Sequence, residues 1–174
     1  MKIIIAPDSF KGSLSGQEAA NAMRQAVSAV FPKAETVVLP ISDGGEGAAQ
    51  VLASALPGKF RQKQVCGPYG KRVQASYYLA ESGLGIVELA EAAGLILTSE
   101  KERNPLYATT FGVGELLLDA ISNGATQLCL TLGGSATNDG GAGIAKALGI
   151  RLLNGEGKEV EPNCAGLAEL VRID

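Results

Sequence analysis

One six-residue pattern occurs twice, Ser42-Asp43-Gly44-Gly45-Glu46-Gly47 and Asn138-Asp139-Gly140-Gly141-Ala142-Gly143. Each copy follows a short apolar run, Thr36 to Leu39 and Leu128 to Leu132, and precedes a stretch of small residues that reads as a helix, about 48–56 and 144–148. Glycine tolerates positive φ, so Asp-Gly-Gly suits a tight passage from strand to helix. Two such passages at equivalent places confine the chain to an α/β fold.

The remaining segments agree. Ile3 to Ala6, closed by Pro7, reads as a buried parallel strand. Ser15 with Glu18 forms a capping-box pattern opening a helix, with Ala19, Ala22, Met23, Ala26, Val27 and Val30 at helical spacing. The order β-α-β-α, with loops at the carboxyl ends of the strands, is the layout of a doubly wound sheet. From Phe60 the texture changes: Arg61–Val65, Val73–Leu79 and Ile86–Leu89 read as strands in hairpins, turned at Gly67-Pro68-Tyr69-Gly70 and Ser82-Gly83. A long helix over Thr110–Ser122 follows, stopped by Asn123-Gly124. Past Ile150 the tail carries a short strand, an Asn154-Gly155-Glu156-Gly157 turn and a weak helix.

Composition narrows the chemistry. The 174 residues hold 15 Lys+Arg against 18 Asp+Glu and no His, which removes the commonest general base and every triad built on it. Carboxylates, Lys, hydroxyls, backbone amides or a hard cation must do any catalytic work. The net charge of −3 and 5% aromatics supply neither a basic footprint nor stacking platforms for nucleic acid. Cys66, Cys129 and Cys164 are odd in number and lack a CxxC spacing, so they read as buried reduced thiols. No apolar run is long enough to span a membrane, and the N-terminal run is too short for a signal peptide; the cytoplasm is the default location.

Three constellations carry candidate chemistry. The stretch Gly133-Gly134-Ser135-Ala136-Thr137-Asn138-Asp139-Gly140-Gly141-Ala142-Gly143 offers backbone amides and no bulky side chain, a floor for a polyanion, though it matches neither a P-loop nor a dinucleotide fingerprint. The Asp of each Asp-Gly-Gly copy either caps the following helix or binds the cation a phosphate brings. After the first strand, Asp8 and Lys11 in Ala6-Pro7-Asp8-Ser9-Phe10-Lys11-Gly12-Ser13 place an acid and a base at the sheet's carboxyl edge, or else form an Asp-Ser turn. Arg103, beside a helix start bearing Thr109 and Thr110, suits a carboxylate clamp or an ordinary surface position.

At these residues the sequence resembles the bacterial-type (type 1) glycerate kinase family. The resemblance rests on Ala6–Ser15 (APDSFKGSLS), Pro40–Gly47 (PISDGGEG), Arg103–Glu115 (RNPLYATTFGVGE) and Gly133–Gly143 (GGSATNDGGAG), four blocks in one order spanning nearly the whole chain. It implies transfer of the ATP γ-phosphoryl group to a hydroxyl of D-glycerate with Mg2+, the 2-hydroxyl being the favoured acceptor. The resemblance does not assign roles residue by residue; from their chemistry and placement Asp8, Lys11, Asp43 and Asp139 are the candidate catalytic residues, Asp43 and Asp139 also the candidate metal ligands. Gly133, Gly134, Ser135, Thr137, Asn138, Gly140 and Gly141 would hold the nucleotide. Ser9, Glu46, Arg103, Asn104 and Thr109 would hold glycerate. The family fold is a Rossmann-like three-layer domain split by an inserted flavodoxin-like α/β domain. Residues 1–62 correspond to the first piece of the former and 63–174 to the start of the latter, so the fold reads as truncated. A homodimer or a complementing C-terminal chain is the expected partner. The alternative function is a non-catalytic remnant that needs the missing half.

Overall fold

Strands β1 (Lys2–Ile5) and β2 (Glu35–Val38) pair in parallel, Lys2 opposite Glu35 and Ile5 opposite Val38, and are connected by helix α1 (Gly16–Val30). The structure is a computed structural model that describes residues 1–10, 13–45 and 47–174. Helix α1 begins where the capping box places it: Ser15 Oγ accepts the Glu18 N–H, and the Glu18 carboxylate accepts the Ser15 N–H. Its buried face is narrower than the periodicity predicts. Ala19 and Ala20 are buried, whereas Ala22, Met23, Ala26 and Val30 are exposed. The expectation of a buried first strand also holds only in part, because Ile5 is buried and Ile4 is 62% exposed. Helix α1 packs on both strands of this pair.

The larger sheet has the order β3-β4-β5-β6: β3 (Gly58–Cys66), β4 (Arg72–Ala80) and β5 (Leu84–Glu88) run antiparallel, and β6 (Gln127–Thr131) is parallel to β5. The fold is therefore mixed α/β. The hairpins fall where the Gly-rich turns place them. Strand β3 runs unbroken through the 62/63 junction expected from the sequence.

Period-two alternation gives the sheet two apolar faces. Tyr77 and Val87 join Val65, Val113, Leu116 and Leu117 under α4 (Phe111–Ser122), while Tyr78 and Ile86 join Ala49 under α2 (Ala48–Ala53). Helix α4 approaches closely because two of its positions lack side chains. A Cβ on Gly112 would overlap the Cys66 carbonyl, and one on Gly114 would press on Ala147. Short α3 (Ala90–Ala93) follows β5, and α5 (Ala142–Ala147) lies against α4. The tail closes with β7 (Leu152–Leu153), α6 (Cys164–Leu167) and β8 (Arg172–Ile173), around Ala142, Leu152 and Val160. The three cysteines are free thiols and partly, not fully, buried. No described helix is long and apolar enough to cross a membrane.

Candidate active site

A cleft of about 640 Å³ opens at the carboxyl ends of β1, β2 and β5. Asp8, Ser9 and Phe10 come from the loop after β1, Pro40, Ile41 and Ser42 from the loop after β2, and Gly47, Gln50, Val51 and Ser54 from the α2 segment. Glu88, Ala90, Glu91 and Ile96 come from the end of β5 and beyond. Ligands of open α/β sheets gather at such an edge because the loops there are free to vary while the strands hold them in place.

The described charged groups of the cleft are all acids, and each accepts at least one hydrogen bond. Glu88, 5% exposed, accepts the Gly47 N–H on Oε2 (3.1 Å) and the Ala49 N–H on Oε1 (2.6 Å). Glu91 accepts both the N–H (2.7 Å) and the hydroxyl (2.8 Å) of Ser76 on one oxygen. Asp8 accepts the neighbouring Ser9 N–H on Oδ1 (2.6 Å).

The two Asp-Gly-Gly copies fold differently, although both helices start from a glycine with positive φ, Gly47 at +86° and Gly141 at +82°. Asp139 stands two residues before its cap glycine and turns inward. It is 2% exposed; Oδ2 accepts the Thr110 N–H (2.8 Å), the Thr110 hydroxyl (2.8 Å) and the Gly143 N–H (3.1 Å), and Oδ1 accepts the Gly141 N–H (3.1 Å). Oδ2 carries three of these bonds and Oδ1 one, so the carboxylate is engaged by protein donors on both oxygens. The starts of α4 and α5 meet on its charge, which their dipoles favour. Asp43 stands four residues before its cap glycine and is exposed, with Oδ1 accepting the Gly45 N–H (2.9 Å).

The amides for which the sequence suggested a phosphate are thus partly taken. Gly47 and Ala49 donate to Glu88, Gly141 and Gly143 to Asp139. The Gly-rich loop itself is anchored by backbone: Leu95 N–H donates to the Gly134 carbonyl and Ala136 N–H to the Ala93 carbonyl. Ser135 Oγ accepts the Thr137 N–H (3.1 Å), folding the loop on itself, while Asn138 and Gly140 are exposed. A Cβ on Gly133 would overlap Gly45 Cα, so the two glycine-rich loops touch backbone to backbone.

The other candidates are dispersed. Arg103 is exposed and makes long contacts to the Leu95 carbonyl (3.4 Å) and Thr98 Oγ1 (3.4 Å), which places it beside the cleft residue Ile96. Asn104 N–H donates to the Tyr69 hydroxyl (2.7 Å); Tyr69 and Thr109 line a separate hollow of about 360 Å³ with Tyr107 and Glu161. Lys11 and Glu46 lie outside the described residues. Sequence reasoning missed Glu88. Its signal was a charge closing the otherwise apolar strand Leu84-Gly85-Ile86-Val87 at the sheet's carboxyl edge.

The profile of the glycerate kinase family matches residues 3–174. The chain belongs to the glycerate kinase family. It is 48% identical to the glycerate kinase of Bacillus subtilis and 43% identical to the glycerate 2-kinase of Escherichia coli, in each case over 100% of this chain and 46% of the relative. A crystal structure from Salmonella typhimurium LT2, provisionally described as glycerate kinase 2, superposes on 100% of this chain and 47% of its own with a TM-score of 0.84 at 42% identity. The chain of this glycerate kinase family member therefore spans about half the length of the curated relatives it matches.

Proposed function

We propose that the chain takes part in ATP-dependent phosphorylation of D-glycerate and that the cleft at the ends of β1, β2 and β5 receives the acceptor. The observation that carries this is Asp8, an acid at the strand edge of a chain with the family's sequence. Both oxygens of Glu88 hold the start of α2 and Glu91 Oε2 holds two groups of Ser76 on β4, whereas Asp8 accepts only the N–H of its neighbour Ser9 and its Oδ2 accepts no hydrogen bond among the described residues. Asp8 is thus the cleft carboxylate suited to take the proton of the attacking hydroxyl. Arg103 at the rim suits the glycerate carboxylate, with Ser9 hydrogen-bonding the acid nearby. Lys11 and the amides of Gly133, Gly134, Ser135, Asn138 and Gly140, which donate to no acceptor among the described residues, suit the nucleotide phosphates.

Among the described residues no three metal-ligating side chains cluster. A nucleotide-borne Mg2+ keeps several waters and takes one or two carboxylates, so the exposed Asp43 suits that ion better than the buried Asp139, which already accepts four protein hydrogen bonds. When bound, the ion supplies neutralisation of phosphate charge. The β1-α1-β2 unit is read as the first piece of the Rossmann-like domain and the β3–β6 sheet as the start of the inserted flavodoxin-like one. The packing of α2 on the latter supports a division ahead of α2 in this reading rather than at 62/63.

The test is ADP release coupled to D-glycerate. Asp8→Asn is expected to lower kcat by roughly 10²–10⁴-fold, as loss of a general base does; wild-type kinetics would remove Asp8 from the mechanism. Phosphorus NMR of the product separates the hydroxyls. Transfer to the secondary 2-hydroxyl gives coupling to one carbon-bound proton, and transfer to the primary one gives coupling to two. A second reading is a stretch that binds D-glycerate without turnover. Binding of D-glycerate without ADP release would select it.

A further inference from the structure

We propose that Glu88 is a positioning residue of the cleft: its carboxylate fastens the start of α2 to the end of β5 and so sets where the α2 wall stands opposite Asp8. The proposal rests on the reading of the cleft as the acceptor site.

Helix α2 has six residues, and its cap, Gly47, has no side chain to satisfy the first amides. A helix this short is not stable alone. Glu88 supplies what the local sequence lacks, one oxygen to the cap amide and the other to the Ala49 amide, two residues into the helix, from 41 and 39 residues away. With its amide turned to suit its neighbours, Gln50 donates a third bond to Glu88 Oε1 (3.1 Å). The same fastening recurs in the second glycine-rich passage, where Asp139 takes the cap amide of Gly141 and the amide of Gly143, two residues on. There the carboxylate is local; at α2 it comes from β5, a strand of the sheet on which α2 packs. Asp43, the residue matching Asp139 in the pattern, points to solvent and leaves this work to Glu88.

The consequence lies in the cleft. Gly47, Gln50, Val51 and Ser54 form one wall, and Glu88 itself reaches the lining. A wall fastened through two amide bonds to one buried side chain shifts when those bonds are lost. Gln at 88 keeps the size but presents an NH2 group to one of the two amides.

Hydrogen exchange at the Gly47 and Ala49 amides, measured by NMR in wild type and Glu88→Gln, is combined with the affinity for D-glycerate from NMR titration and with KM and kcat. The expected result is exchange faster by roughly tenfold or more at these two amides, the scale of one lost buried hydrogen bond, with β4 amides unchanged. The affinity for D-glycerate weakens, and KM moves more than kcat. Glu88→Asp, which keeps the charge and shortens the reach, decides on the same amides if Glu88→Gln does not fold. Unchanged exchange overturns the proposal, as does faster exchange with unchanged affinity, which reduces Glu88 to a structural role. A wild-type protein that binds D-glycerate without turnover refutes the kinase reading alone. One that does not bind D-glycerate refutes both.

Discussion

Asp139 holds two helix starts on one buried carboxylate, and this decides what its replacement does. In Asp139→Asn one of the two terminal positions becomes an NH2 group facing N–H donors, whichever way the amide turns. We expect a loss of about 1–3 kcal/mol, the cost of leaving a buried donor unsatisfied, measured as a lower urea midpoint at constant m-value. An unchanged midpoint would contradict this structural role of Asp139. The Asp-Gly-Gly pattern marked both Asp43 and Asp139 as special but could not tell an inward carboxylate from an outward one. That choice is made by Thr110, 29 residues distant, whose amide and hydroxyl close the site around Asp139. Glu88 was still less legible, since its amide partners belong to a helix that precedes it by about forty residues and nothing local announces them. Asp8 and Ser9 were legible because a strand ended by Pro7 carries the following residues to the sheet edge whatever the tertiary details.

At the scale of elements, β3, β4 and α4 are tied by one polar network. The Tyr77 hydroxyl donates to Asp119 Oδ2 (2.8 Å), Lys63 Nζ reaches Oδ1 (2.8 Å), and Asn123 Nδ2 donates to the Tyr77 hydroxyl (3.2 Å). Burial, then the bond to Asp119 and its charge, push the Tyr77 phenol up to about 12. Burial raises Asp119 too, but the bonds from Lys63 and Tyr77 outweigh it and hold the carboxyl below its ordinary range. The two groups limit stability at opposite ends of the pH scale. The Tyr77 contribution is complete below the ordinary phenol value of about 10 and is lost as pH rises toward 12. The Asp119 contribution is complete above the ordinary carboxyl value of about 3.9 and is lost as pH falls through its depressed folded value. Tyr77→Phe is therefore expected to flatten the stability profile between about pH 10 and 12 while the acid limb persists, as read by urea midpoints along a pH series. The elements themselves were legible: the capping box, the hairpin turns and the α4 periodicity stand within a few residues of their sequence-based positions. The pairing of β5 with β6 in parallel, across the crossover through α4, was not, because register between distant strands leaves no local trace.

Across the whole molecule, stability is distributed unevenly, and the cleft straddles the division. The largest apolar cluster draws on β3, β4, β5, α3 and α4, and the second joins α2 to the same sheet. The β1-α1-β2 unit contributes Ile5, Ala19 and Ala20 to the buried apolar set, while Ile4, Val30, Phe31 and Leu39 stand exposed. A region that buries little apolar surface opens at lower free energy than the core beside it. In native-state hydrogen exchange the amides of β1, α1 and β2 should thus open at a lower free energy than those of β4, β5 and α4, and limited proteolysis should cut first ahead of α2. A single exchange isotherm shared by β2 and β5 would contradict this and show one cooperative unit. Ligand binding provides the second arm of the same measurement. Asp8 and Ser9 belong to the weaker unit, Gly47 and Glu88 to the stronger one, so an occupant of the cleft touches both. Binding to the closed form alone stabilises it by mass action, about 2.7 kcal/mol at a hundredfold excess over Kd. D-glycerate at saturation is accordingly expected to raise the opening free energy of β1 and β2 amides while leaving β4 amides, already limited by global unfolding, less affected. Equal protection of both sets, or protection of neither, would place the ligand away from this cleft.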